Sequence, residues 1–199
     1  MDTLYVLYLL GLAVLVGTIA ITPLLALHGP KELAALSYNL YAPTCHQWIF
    51  RSSCVFYDGT EHRVGDCITG DKARITTEFT AARKDWDGAF EYGRDQIGRN
   101  RAEKVEYGDA VGYKFPNDTR NIGVYLSMLL SGLVLPSIWK RPEVPHVAFL
   151  VLAILPLAVD GTGQFLEFWE STNPVRFATG TLAGAAASAY VYAMLNRVK

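Results

Sequence analysis

Residues 160–176, DGTGQFLEFWESTNPVR, set Asp160, Gln164, Glu167, Glu170, Asn173 and Arg176 around one short connection between two apolar runs. Ionisable side chains at or in a bilayer are costly, and they tend to face a polar cavity or pair with one another. Asp160, Gln164 and Glu167, at steps of four and three, share one helical face. Pro174 restricts the residue before it, so Asn173-Pro174 breaks any helix there and Arg176 begins the next span. The chemistry these residue types support is the handling of a phosphate group. Arg51, Arg120 and Arg176 can clamp phosphate oxygens with their guanidinium forks. Asp160 or His46 can serve as general base or nucleophile, while Gln47, Gln164, Glu170 and Asn173 bind and orient the substrate. A plainer reading is an interfacial loop in which Arg176 and Glu170 simply pair near the headgroups.

A second concentration lies at residues 44–54, TCHQWIFRSSC. Cys45, His46 and either Cys54 or Cys67 offer ligands for zinc or copper, with Asp160 as an oxygen donor. Adjacent Cys-His is unusual for a closed tetrahedral site, whose paired ligands are normally separated along the chain. A Cys54–Cys67 disulfide is the competing use of the same thiols. It would close a loop of about a dozen residues and contribute roughly 3 kcal/mol in the loop-entropy picture. Cys45 would then be the odd thiol, beside a histidine that can activate it.

Both concentrations adjoin charge-free runs. Residues 4–27 contain no Asp, Glu, Lys, Arg or His, and about 20 apolar residues suffice to cross the hydrocarbon core. This run is too long for a cleavable signal peptide, and Asp2 stands where a basic region is expected. Residues 122–139, 144–159 and 177–195 are three further candidates. A soluble core of this size holds roughly one uniformly apolar helix, so four indicate a bilayer.

The expected class is therefore an all-α integral membrane protein, with about four transmembrane helices and a small α-rich extracytoplasmic insertion. Residues 1–29 would be the first transmembrane helix and 30–120 an extracytoplasmic domain with an interfacial CHQ segment. Residues 121–199 would be a three-helix transmembrane region with a polar outer loop at 160–176. Lys140, Arg141, Arg197 and Lys199 outnumber Asp2 and Glu143 on one side, which places the N-terminus in the cytoplasm. The outer side is then an oxidising compartment where disulfides persist. On this topology Cys45, His46, Gln47 and Arg51 can meet Asp160, Gln164, Glu170, Asn173 and Arg176.

Residues 28–120 carry 13 of the 18 Lys/Arg and 14 of the 19 Asp/Glu. So balanced a segment lacks the one-signed basic surface of a nucleic-acid binder. Within it Ile75, Phe79, Ala82, Trp86, Phe90 and Ile97 recur at helical spacing, predicting one or two amphipathic helices weakened by Gly88, Gly93 and Gly98. The preceding KELAALSYNLYAP is mildly amphipathic and suits an interfacial or re-entrant position. Asn117-Asp118-Thr119 is a glycosylation sequon in a predicted outer loop. Gly180, Gly184 and Ser188 give the small-residue spacing that lets two membrane helices pack closely.

Several of these motifs occur together in a known family. Cys45-His46-Gln47 with Arg51-Ser52, Gly123-Val124-Tyr125 opening a span, Asp160-Gly161 with Gln164, and Glu170-Ser171 with Asn173, Arg176 and Thr179-Gly180 resemble a family of small archaeal and bacterial multi-pass membrane proteins of unknown function. The resemblance covers residues 40–54 and 117–184. It implies a multi-pass membrane protein and brings no activity with it. In that family a cysteine and an arginine lie shortly before the Gly-x-Tyr segment, close after the CHQ motif. Here Cys67 is separated from Gly123 by the polar insertion, and NDTRNIGVY offers Arg120 but no cysteine.

Three functions compete. The favoured one is an enzyme acting on a lipid headgroup or polyprenyl phosphate at the outer leaflet, because arginines and amides outnumber the soft ligands. The second is a metal-binding membrane protein holding zinc or copper through Cys45 and His46. The third is an accessory subunit of a larger membrane complex. The expected partners are membrane lipids, with a homo-oligomer or larger complex as the assembly.

Overall fold

The computed structural model describes residues 2–42, 49–69, 73–76, 78–79, 87–90 (backbone only) and 102–196. Two compact units emerge, one from Met1–Gly17 with Arg120–Lys199, the other from Thr18–Thr119. The helix α1, Thr3–His28, begins in the first and ends in the second.

The first unit holds α3 (Thr119–Ile138), α4 (Val147–Phe165) and α5 (Asn173–Leu195) beside the start of α1. Among the described residues, α1, α3 and α4 are the helices long and apolar enough to cross a membrane. That corrects the expectation of four. α5 has the length, with 23 residues, but its Ala, Gly, Ser and Thr content dilutes its apolar character. Leu4, Leu7 and Leu10 of α1 and Phe149, Val151 and Leu152 of α4 are exposed, as side chains that meet lipid must be.

Small residues decide how α5 sits on α3. A Cβ at Gly180 would lie 2.2 Å from the Arg120 carbonyl oxygen, and one at Gly184 would lie 2.2 Å from Ser127 Oγ. Ser188 completes the row by donating its hydroxyl to the Met128 carbonyl at 3.0 Å. The expected small-residue stripe is thus a packing seam. At the other side of the unit, Tyr5 and Leu9 of α1 pack against Tyr192 of α5. The Tyr5 hydroxyl donates to the Gly132 carbonyl at 2.7 Å, leaving no buried polar cost there.

The second unit overturns the all-α expectation. It contains a six-stranded sheet in the order β2-β1-β6-β5-β3-β4. The strands are β1 (Ser53–Tyr57), β2 (His62–Asp66), β3 (Ala73–Thr76), β4 (Asp87–Phe90), β5 (Lys104–Tyr107) and β6 (Ala110–Lys114). Every pairing is antiparallel. Ile75 and Phe90, read as steps on a helical stripe, lie instead on the paired strands β3 and β4, where Ala73 faces Phe90. The local signal is alternation: Ala73 and Ile75 are buried while Arg74 is exposed, the period of a half-buried strand. Ala82, Trp86 and Ile97 lie outside the described residues.

The sheet buries Ile49, Cys54, Cys67, Ala73, Ile75, Ala102 and Val105 as one core. Cys54 and Cys67 form the expected disulfide. It ties β1 to the residue just beyond β2, where Cys67 N donates to the Ser52 carbonyl at 3.1 Å. Gly108, at φ +56°, opens the two-residue turn between β5 and β6, where such hairpins favour glycine. The KELAALSYNLYAP segment forms α2, Lys31–Tyr41, with Ala34, Tyr38 and Tyr41 buried. Tyr38 stacks on Phe79 at 5.5 Å and donates to the Lys114 carbonyl at 2.5 Å. Leu33, Leu36 and Leu40 remain exposed along the helix.

Candidate functional site

All but Glu167 of the polar residues singled out in the connection converge within the first unit, where the ends of α3, α4 and α5 meet. α4 does not stop at residue 159; it runs on to Phe165 and carries Asp160 and Gln164 on one face. Gln164 Nε2 donates to the Asp160 carbonyl at 3.0 Å and to Asp160 Oδ2 at 2.9 Å. Arg120, in the first turn of α3, forms an ion pair with the same carboxylate oxygen. Gly161 makes room for it, since a Cβ there would lie 3.3 Å from Arg120 Nη1.

Beyond Phe165 the chain reverses through a Schellman motif. Phe168 N donates to the Gly163 carbonyl at 2.9 Å and Glu167 N to the Gln164 carbonyl at 3.3 Å. Glu167 takes the left-handed position at φ 59°, where glycine is usual and another residue costs about 1–2 kcal/mol. Glu167 therefore leaves the helical face on which its spacing had placed it. The reversal brings Trp169 back over α4, and its Nε1 reaches Asp160 Oδ1 at 3.4 Å.

Pro174 starts a helix rather than ending one. It lies in the first turn of α5, where its missing N–H would have had no partner in any case. Two residues later Arg176 points into the network and is 2% exposed. Its Nε and Nη2 donate to Gln164 Oε1 at 3.2 and 3.0 Å, and its Nη1 donates to Asn173 Oδ1 at 3.1 Å. Nη2 also pairs with the carboxylate of Glu170. Asp160, Gln164, Asn173 and Arg176 are all buried.

Two arginines thus face two carboxylates, and Gln164 links the pairs. The described network is neutral as a whole, which lowers the cost of burying it. The buried Nε of Arg120 has no hydrogen-bond partner among the described residues. Next to the network lies a shallow groove of about 340 Å³, lined by Ala158, Val159, Thr162, Gly163, Leu166, Phe168 and Trp169. Trp169 belongs to both.

Of the other expected site residues, Cys45, His46 and Gln47 lie outside the described residues. Arg51 ends a 3-10 turn, Ile49–Arg51, in the second unit, with its guanidinium carbon 5.2 Å from the Phe50 ring centre. Among the described residues no three His, Cys, Asp or Glu side chains come together as a metal cluster. The Asn117 sequon is not a surface acceptor in the folded chain, because Asn117 is 2% exposed. Sequence reasoning did not single out Trp169. Its signal was Gly163, six residues earlier, over which the large aromatic folds back.

Three apolar helices of membrane-crossing length among the described residues define a membrane protein, and the buried ion-pair network lies where two of them, α3 and α4, meet α5. Residues 110–190 match the sequence profile of a family described as "Predicted membrane protein (DUF2085)". The matched stretch includes Arg120 and the whole of residues 160–176, but not the Cys45-His46-Gln47 motif. The chain is also 35% identical over 82 residues to an uncharacterized protein of Methanocaldococcus jannaschii, covering 40% of this chain and 53% of that one. A second relative, an uncharacterized protein of Methanothermobacter thermautotrophicus, is 33% identical over 73 residues, covering 37% of this chain and 66% of that one. The chain spans about half the length of the first of these relatives. No solved structure matches it. The chain is therefore similar to small archaeal membrane proteins of unknown function.

Proposed function

We propose that the protein is a membrane-embedded enzyme acting on a phosphate carried by an apolar chain, either a lipid headgroup or a polyprenyl phosphate. The single observation behind this reading is Trp169, which lines the apolar groove and also hydrogen-bonds to Asp160 in the polar network. An amphiphile needs such a junction between an apolar slot and buried charge. As it stands the network is closed, with Arg176 held by Glu170 and Asp160 held by Arg120. Glu170 is its most exposed charged member, at 39% of its side chain. An arriving phosphate would take its place on Arg176 and draw Arg120 through the buried Nε. Asp160 would lose its charge partner in that step and be free to act as base or nucleophile.

The disulfide supports placing residues 30–120 on the extracytoplasmic side, with the N-terminus in the cytoplasm. Labelling of engineered surface cysteines in intact cells would check this sidedness, and labelling only after lysis would reverse it.

The test is Glu170→Gln, assayed by binding of the detergent-purified protein to neutral vesicles and to vesicles containing phosphatidic acid. Removing the competing carboxylate should strengthen binding to the anionic vesicles by about tenfold, the usual scale of one charge-assisted contact. A second reading is that of an accessory subunit, favoured by the neutrality of the network: charges that cancel within one chain leave nothing for a ligand to neutralise. Unchanged or weakened binding in Glu170→Gln would favour that reading. The zinc or copper reading for Cys45 and His46 is tested by metal analysis of the purified protein against Cys45→Ala, where equal metal content in both would remove it.

A further inference from the structure

A separate pair of side chains in the second unit has no part in the network. His28 is the last residue of α1, and His62 opens β2. Their Nε2 atoms lie 2.9 Å apart. The two rings are nearly perpendicular, at 77°. Tyr57, the cross-strand neighbour of His62, holds both in place: its ring is 4.7 Å from that of His28 and 4.9 Å from that of His62. The two nitrogens share a hydrogen bond, one ring donating and the other accepting; with both rings protonated on Nδ1 instead, the two Nε2 atoms would be free to chelate a metal ion in its place.

The spacing selects among metals. With metal–nitrogen bonds of about 2.05 Å, nitrogens 2.9 Å apart subtend about 90° at the metal. A tetrahedral ion would need them about 3.3 Å apart at the same bond length. An angle near 90° is that of neighbouring ligands in square-planar or tetragonal geometry, which Cu²⁺ prefers, and Cu²⁺ also heads the affinity order for nitrogen ligands. The position of His28 at a helix C-terminus further favours a cation.

We infer that His28 and His62 form a two-imidazole site for a divalent copper ion, distinct from the Cys45-His46 motif. Solvent fills the remaining positions. Asp58, in the loop after Tyr57, is already engaged: Oδ1 accepts from Thr60 N, Thr60 Oγ1 and Glu61 N, and Oδ2 pairs with Arg63.

The experiment titrates Cu²⁺ alone into the detergent-purified full chain and reads bound copper by continuous-wave and pulsed EPR. The parent and a Cys45→Ala/His46→Ala variant should each bind one Cu²⁺ with two equatorial imidazoles. His28→Ala and His62→Ala should each lose one imidazole from the spectrum and bind at least about tenfold more weakly, since losing even the hydrogen-bond partner of a ligand costs about 10–100-fold. Both histidines are exposed, so these variants should keep the fold, which an unchanged free-thiol count verifies. A parent spectrum with one imidazole, or copper uptake unaffected by either histidine variant, overturns the site. So does loss of the two-imidazole signal in Cys45→Ala/His46→Ala.

Discussion

Trp169 rests against Gly163 so closely that a Cβ on the glycine would lie 2.1 Å from the indole Cζ2. The contact lets Nε1 reach Asp160 across the turn that ends α4. Gly163→Ala must push the indole away and break that reach. Overpacking of this kind costs about 1–3 kcal/mol. Thermal unfolding in detergent should show the loss, and intrinsic fluorescence should report a more solvated tryptophan. Trp169→Phe removes the donor and part of the indole that packs on Gly163, so its cost should exceed the roughly 1 kcal/mol of a lost hydrogen bond.

Arg176 and Glu170 are paired but not equivalent. Arg176→Met would strip donors from Gln164 and Asn173 and leave the Glu170 carboxylate without its cation. Breaking a buried pair from its buried side costs about 3–5 kcal/mol. Glu170→Gln acts on the exposed partner and should cost about 1 kcal/mol or less. Chemical denaturation of the two variants should reproduce that order. Equal losses would mean that Glu170 is as structural as Arg176.

The chain has three cysteines, and Cys54 and Cys67 are joined. Thiol titration in denaturant should find one reactive group before reduction and three after. Cys54→Ser with Cys67→Ser should cost about 3 kcal/mol, the loop-closure value for a separation of this length. The same loss should follow when the parent is reduced.

Glu78 gives the second unit an acid-sensitive element. Burial pushes its carboxyl upward, but the hydrogen bonds from Lys31 and Tyr113 and the charges of Lys31 and Lys104 outweigh it, so its pKa lies below the ordinary 4.5. A depressed carboxylate contributes stability that is present above its unfolded value and is lost as pH falls through its folded value. Unfolding midpoints should therefore drop as pH falls below about 4.5, and Glu78→Gln should flatten that fall. Tyr113 behaves in the opposite sense, since burial and the Glu78 carboxylate raise its pKa. Its contribution is present below its unfolded value and fades in strong alkali.

The long apolar runs were legible because a chain of this size can exclude charge over a whole span in few ways besides crossing a bilayer. The Asp160–Gln164 face was legible because a helix fixes steps of four. The Cys54–Cys67 bridge was legible from the spacing of the thiols and the expected outer side of the membrane. The sheet was hidden for a physical reason: its strands are four or five residues long, too short for alternation to outweigh a chance helical spacing through Ile75 and Phe79. Glu167 was misplaced because a left-handed turn residue is read as glycine by habit. The partners of Arg120 and Arg176 depend on α3 and α5 each meeting the end of α4, and the Gly180–Gly184 seam marks only the approach of α3 to α5.

Asn117 has one more consequence, for the choice of production host. Its side chain is buried, and neither Nδ2 nor Oδ1 finds a partner among the described residues. A glycosylating enzyme could reach it only while the chain is unfolded, and a sugar attached then could not be accommodated in the finished fold. In a eukaryotic secretory pathway, on the proposed extracytoplasmic placement of residues 30–120, the sequon would turn translocation into a race between folding and modification, with the glycosylated fraction accumulating as a misfolded product. Asn117→Gln would not settle that race cleanly, since it enlarges a buried side chain. Thr119→Val removes the acceptor motif at the cost of the Ser53 hydroxyl contact alone, and is the variant to express there.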